Sequence, residues 1–212
     1  MKTPAPLPTF QSRVVPVVVV TDPTQAVPMA EALLAGGVDV IEITLRSAAG
    51  LAAIEAVARA VPAMQVGAGT VTRASEVAQV MAAGARFALS PGSTPVLIQA
   101  VLEAGLPFIP GVGSPSEAMA MRDAGFTLMK CFPAAQLGGV EVLKAWGGPL
   151  PDLRFCPTGG VSLANMAQFL ALPNVAMVGG SWLTPAAAVQ AGDWAQITRL
   201  AREATQAVQA IA

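Results

Sequence analysis

The 212-residue sequence contains no histidine and no tyrosine. Without imidazole, Ser-His-Asp and Cys-His catalysis, histidine metal ligation and imidazole proton shuttling are excluded, so proton transfer falls to carboxylates, lysine or water. Cysteine occurs twice, at Cys131 and Cys156. Two thiols are too few for a four-thiolate zinc site, and each lies in an apolar run where a reduced thiol packs as a small hydrophobe. Charge is scarce as well: charged types make up 12% and the net charge is −1, against roughly 25% charged residues in an average globular protein. No basic field is available for a nucleic-acid backbone or an anionic membrane surface. No apolar run reaches the ~20 uninterrupted residues that span a bilayer. The amino end, 1–13, carries prolines at positions 4, 6 and 8 and no apolar signal-peptide core. A cytoplasmic enzyme or binding protein is expected.

What is present is apolar: 54% of residues, enough to bury one sizeable core and to leave apolar surface for another subunit. A punctuation mark recurs along the chain. Alanine-rich helical stretches end in Ala-Gly at Gly36-Gly37, Gly84, Gly105 and Gly125, and a β-type run follows each. The last three marks stand about 20 residues apart, the length of one βα unit. Strands are expected at Val14–Val20, Val38–Leu45, Gln65–Val71, Arg86–Ser90, Leu106–Pro110, Phe126–Phe132, Leu153–Pro157 and Val175–Val178. Helices are expected at Ala26–Ala35, Leu51–Val61, Ser75–Ala83, Pro95–Ala104, Ser116–Ala124, Val140–Trp146, Leu163–Leu172 and Trp194–Ile211. Ser116 and Asp193 are expected as helix starts, and Gly36, Gly84, Gly105 and Gly125 as left-handed helix ends.

Val- and Ile-rich strands alternating with helices imply a parallel sheet covered by helices. Eight such units predict an α/β fold closed into a (β/α)8 TIM barrel over 14–212, with 1–13 as a proline-rich arm. An open doubly wound sheet is the competing fold, but the turn after the first strand reads Thr21-Asp22-Pro23 rather than a glycine-rich fingerprint, and no Walker A loop is present.

Barrel chemistry sits at the C-terminal ends of the strands, where two segments carry charge: Glu42 to Arg46 in the second expected strand and Lys130 in the sixth. Alternation places Glu42, Thr44 and Arg46 on one face, opposite Ile41, Ile43 and Leu45. The apolar set should meet the helices, which turns Glu42 inward. Lys130 shares a face with Leu128 and Phe132, opposite Met129 and Cys131, so Glu42 and Lys130 converge on one cavity. Such a pair can be a buried salt bridge that only fills the interior. The apolar wall offered by Phe132-Pro133 argues for chemistry instead, because desolvation disfavours ammonium and favours a free amine able to attack a ketone. The resulting imine draws electrons from a neighbouring carbon–carbon bond, and Glu42 serves as acid and base. Arg46 is suited to bidentate recognition of a carboxylate, its plainer reading being a solvated cation. Pro157-Thr158-Gly159-Gly160 and Gly179-Gly180-Ser181 follow the last two strands, where barrels often bind phosphate through backbone N–H groups.

Taken together, Val-Val-Pro-Val-Val-Val-Val (14–20), Glu-Ile-Thr-Leu-Arg (42–46), Val-Gly-Ala-Gly-Thr-Val (66–71), Ser-Pro-Gly (90–92), Lys-Cys-Phe-Pro-Ala (130–134), Phe-Cys-Pro-Thr-Gly-Gly-Val (155–161) and Gly-Gly-Ser-Trp-Leu (179–183) resemble the bacterial 2-dehydro-3-deoxy-phosphogluconate/4-hydroxy-2-oxoglutarate aldolases. The resemblance implies Lys130 as the Schiff-base lysine and Glu42 as general acid and base. It also implies Arg46 and Thr70 as contacts to pyruvate, with Thr158 and Pro91 lining that pocket. By the same resemblance, Phe132 is expected to pack beside the lysine, and Gly159, Gly160, Gly180 and Ser181 to form a phosphate site. It further implies a homotrimer, no metal or other cofactor, a place in the Entner–Doudoroff pathway, and reversible cleavage of the phosphorylated 2-keto-3-deoxy acid to pyruvate and glyceraldehyde 3-phosphate, with 4-hydroxy-2-oxoglutarate as a second substrate. The competing readings are an aldolase for the galactonate epimer, a phosphosugar isomerase or epimerase, and a catalytically silent phosphosugar sensor.

Overall fold

A computed structural model describes residues 2–211. Its strands are β1 (Val14–Val18), β2 (Val40–Thr44), β3 (Gln65–Gly69), β4 (Phe87–Leu89), β5 (Phe108–Ile109), β6 (Gly111–Val112), β7 (Leu128–Cys131), β8 (Arg154–Pro157) and β9 (Val178–Gly180). Its α-helices are α1 (Ala26–Ala35), α2 (Gly50–Ala60), α3 (Ala74–Ala82), α4 (Pro95–Ala104), α5 (Pro115–Asp123), α6 (Gly139–Gly147), α7 (Met166–Leu170), α8 (Ala186–Ala191) and α9 (Trp194–Gln209). Every ladder is parallel. One sheet runs β5-β4-β3-β2-β1-β9 and the other β6-β7-β8, which makes an α/β fold with its strands curled into a half-barrel.

The expected strand Leu106–Pro110 is instead two short strands. Pro110 stands between them and has no N–H to donate, so the ladder is interrupted there, although its carbonyl still accepts from Lys130 N at 2.8 Å. Single parallel bridges link Phe155 with Val175 and Thr158 with Gly179. The last strand therefore starts at Val178, with Val175 left as a lone bridge. Helix α8 has no counterpart among the expected helices. Helix α7 is shorter than the stretch 163–172, because Asn165 accepts from Ser162 N and donates to the Gly160 carbonyl, fixing a turn ahead of it.

Two expected caps differ. Ser114, not Ser116, caps α5 by accepting from Glu117 N, with Pro115 in the first turn. Gly36 has φ −90°, and the left-handed residue is Gly37 at φ 87°. Gly36 is needed for packing: a Cβ there would meet the Ala201 Cβ at 2.4 Å, so its absence lets α9 lie close on α1. Thr198 and Thr205 tie the two helices by donating to the Ala32 and Gly36 carbonyls.

The strands bury both faces. Val14, Val18, Ile41, Ile43, Ala68, Met129 and Cys131 belong to the large core beneath the helices. Val15, Val40, Phe87, Leu89, Ile109, Cys156 and Met177 form a second cluster on the opposite, inner face. Residues 2–13 close one end of that inner cluster, with Leu7 and Phe10 packed against it. Asp39 fastens this segment by accepting from Gln11 N and Ser12 N, both at 2.9 Å. Among the described residues no helix is long and apolar enough to cross a membrane.

Candidate active site

Alternation along β2 puts Glu42 on the inner face with Val40, and alternation along β7 does the same for Lys130 with Leu128. The two side chains meet: Lys130 Nζ donates to Glu42 Oε1 at 2.8 Å and Oε2 at 3.2 Å. Lys130 is 4% exposed and Glu42 1% exposed, so the pair is held away from water, where charge interactions are strengthened. Lys130 Nζ lies 5.7 Å from the centre of the Phe132 ring. Cys156 is the register partner of Lys130 on β8. Burial pushes its thiol up to about 12, the Lys130 charge working against that rise and Glu42 adding to it. Cys131, turned outward into the helix-facing core, is likewise pushed up to about 12 by burial. Both cysteines are neutral thiols at physiological pH.

A cavity of about 620 Å³ opens beyond Phe132, the aromatic neighbour of Lys130, and neither Lys130 nor Glu42 lines it. Its wall includes Arg46, Phe132, Thr158, Gly159, Gly160, Gly180 and Ser181, and its floor reaches Val17, the register partner of Glu42. The glycine loops converge because Thr158 bridges to Gly179, where a Cβ would meet Thr158 Oγ1 at 2.4 Å. Gly159 and Gly160 take φ 94° and 78°, conformations that favour glycine. Arg46 is exposed at the rim and, among the described residues, is the only charged one on the cavity wall.

Thr70 and Pro91 do not line this cavity. Thr70 follows β3 with φ 59°, a rare conformation for a β-branched residue and a mark of local strain. Pro91 follows the fully buried Ser90, whose Oγ accepts from Gly111 N at 3.1 Å. The Ser90-Pro91-Gly92 backbone lies directly over Gly111, where a Cβ would meet Pro91 C at 2.4 Å.

The sequence alone does not single out Thr21, Gln25, Thr184 or Gln190, which also line the cavity. Thr184-Pro185 ahead of an alanine run is the helix-start signal that points to α8 and this wall. The neighbourhood of Cys156 and Lys130 depends on strand register, which a single sequence does not display. Among the described residues no group of three or more Cys, Asp or Glu gathers where it could hold a metal ion.

Comparison with known proteins supplies the context for this geometry. The family model described as KDPG and KHG aldolase matches residues 9–200. A 2-dehydro-3-deoxy-phosphogluconate aldolase of Pseudoalteromonas atlantica is 54% identical over 194 residues, 92% of this chain and 90% of that protein. A KHG/KDPG aldolase of Escherichia coli is 52% identical over 193 residues, 91% of each. A crystal structure of KDPG aldolase from Legionella pneumophila, with pyruvate captured at low pH as a covalent carbinolamine intermediate, superposes with a TM-score of 0.90 at 45% identity, covering 92% of this chain and 94% of that one.

Proposed function

Since the chain belongs to the KDPG and KHG aldolase family, we propose that it is a class I aldolase, a lyase that cleaves 2-dehydro-3-deoxy-6-phosphogluconate to pyruvate and glyceraldehyde 3-phosphate, and 4-hydroxy-2-oxoglutarate to pyruvate and glyoxylate. The observation that carries this reading is the buried Lys130–Glu42 hydrogen bond, with Phe132 standing between the lysine and a cavity walled by Arg46 and two glycine loops. The galactonate epimer is not favoured, because the relatives above carry gluconate-type names.

The 2.8 Å contact is a path for a proton. Its transfer from Nζ to Oε1 converts ammonium and carboxylate into free amine and carboxylic acid with no net change of charge. The amine attacks the ketone carbon, and Glu42 gives its proton to the oxygen that leaves as water, forming a protonated imine. Glu42, again a carboxylate, takes the proton of the C4 hydroxyl. The C3–C4 bond breaks, its electrons pass to the imine nitrogen, and the aldehyde departs. Glu42 then protonates C3 of the enamine, and water releases pyruvate. The iminium is the electron sink of this sequence, the part a metal plays in other aldolases. Arg46 holds the substrate carboxylate by paired, charge-assisted bonds. Thr70, Thr158 and Pro91 shape the pyruvate pocket beside Phe132, and Gly159, Gly160, Gly180 and Ser181 receive the phosphate through neutral donors.

Three further expectations belong to the same proposal. The two sheets are one (β/α)8 barrel spanning 14–212 behind the arm 1–13, a reading supported by the Pro110 interruption and by the bridges from β8 toward β9. The working unit is a homotrimer, a reading supported by exposed apolar side chains such as Val96 at 68% and Met119 at 46%. The enzyme works in the cytoplasm, in the Entner–Doudoroff pathway. Pyruvate release from the phosphorylated substrate, followed with a coupled dehydrogenase, tests the activity. Release at a catalytic rate is expected, whereas ligand binding without release would leave a phosphosugar sensor and would overturn the aldolase reading.

A further inference from the structure

The inner face of β3 is built of two glycines, Gly67 and Gly69, and they do different work. A Cβ at Gly67 would meet the Phe87 ring at 2.4 Å, so Gly67 admits an aromatic to the core. A Cβ at Gly69 would meet Glu42 Oε1 at 2.2 Å, Cγ at 2.5 Å and Cδ at 2.7 Å. Glu42 is paired in register with Gly67 and Thr44 with Gly69. Side chains lean along the strand direction, and the Glu42 side chain thus crosses the bare backbone of Gly69 on its way to Lys130.

The backbone offers no reason for glycine here. Gly69 is absent from the positive-φ residues, whereas its neighbour Thr70 has φ 59°. The chain places glycine where any L-residue fits the backbone and a β-branched residue where glycine would relieve strain. What position 69 demands is the absence of a side chain, and the atoms that demand it are those of the Glu42 carboxylate.

We propose that Gly69 is a positioning residue for the reaction: by leaving its inner face bare it holds the Glu42 carboxylate in the 2.8 Å contact with Lys130, and any side chain there would push the acid/base off the lysine. The inference rests on the roles assigned above to Glu42 and Lys130. It extends them to a residue whose part is to leave room for the Glu42 side chain.

The test is a double-mutant cycle of Gly69→Ala and Glu42→Ala, read by kcat, by KM and by the rate at which borohydride with pyruvate labels Lys130. Gly69→Ala is expected to lower kcat about 10- to 100-fold, the scale of a misplacement of about 1 Å, with KM changed far less. Glu42→Ala removes the Cγ, Cδ and Oε1 atoms that the new Cβ would meet, so adding Gly69→Ala to it should cost less than about threefold more in kcat, the mark of two coupled sites. Wild-type kcat in Gly69→Ala, or a full additional loss in the double variant, would overturn the proposal. If Gly69→Ala does not fold, the double variant carries the test. Recovered folding supports the steric relation to Glu42, and equal misfolding contradicts it. Failure of the parent protein to release pyruvate or to be labelled would instead remove the aldolase reading itself.

Discussion

The ring of Phe10 rests on that of Phe87, their centres 5.0 Å apart and their planes inclined at 55°. Phe87 in turn covers Gly67, the register partner of Glu42. An aromatic from the amino-terminal segment therefore stacks beneath the layer that carries Glu42, the proposed acid/base, and Leu7 joins it against the same inner cluster. The segment thereby closes one end of the inner cluster.

Truncating that contact should cost stability. Phe10 is half-buried, so Phe10→Ala is expected to lose about 2 kcal/mol, below the range for a fully buried phenylalanine. Urea unfolding would show it as a lower midpoint with an unchanged slope. A midpoint equal to that of the parent would mean the segment does not seal the interior.

Glu42→Gln keeps the shape of the side chain and removes its ability to take up a proton. Turnover is expected to fall about 100- to 10,000-fold, the usual worth of a positioned acid/base, while some pyruvate is still trapped on Lys130. Steady-state kinetics beside trapping rates checks this, and parental turnover would contradict the role given to Glu42.

Arg46, the proposed carboxylate-binding residue, should on substitution separate binding from chemistry. It is exposed at the rim, so Arg46→Ala should leave the melting temperature nearly unchanged. The loss of paired bonds to a carboxylate should raise KM, with kcat/KM down about 10- to 100-fold, since hydrogen bonds to charged groups contribute about 1.5–3 kcal/mol. Arg46→Lys should recover only part of this, because an ammonium does not make the forked contact.

Both thiols lose their ordinary acidity on burial, and this gives stability a dependence on alkaline pH. Cys131 and Cys156 are raised from 9.0 to about 12. Below about pH 9 they are protonated whether the chain is folded or unfolded, so their burial carries no pH-dependent cost. Between pH 9 and 12 only the unfolded chain ionises them, and stability falls with rising pH. Thermal melts from about pH 8 to 11 should show this decline, and Cys131→Ala should blunt it. At about pH 8 neither thiol should react with iodoacetamide in the folded protein, whereas both should after denaturation.

Much of this is legible in the amino-acid sequence itself. The inward turn of Glu42 and Lys130 follows from strand alternation, and the bounds of Ala26–Ala35 and Pro95–Ala104 from helical spacing ended by a proline or a glycine signal. What escapes are relations between segments distant along the chain. Pro110 reads as the end of a strand, yet its carbonyl continues the ladder to Lys130. Gly69 reads as one glycine among several until Glu42 is seen crossing it. Gly36 reads as a conformational stop, and only the approach of α9 shows that its small size is what matters. Lys130, Glu42, Thr70 and Pro91 fall by motif beside the cavity, but none of the four forms part of its wall.

The central claim is that Lys130 forms the imine. Borohydride added with pyruvate to the native protein, followed by peptide mass analysis, should add one reduced pyruvate per chain and place it on the Lys130 peptide, with Lys2 and Lys144 unlabelled. An unmodified Lys130 in protein that is releasing pyruvate would contradict the account.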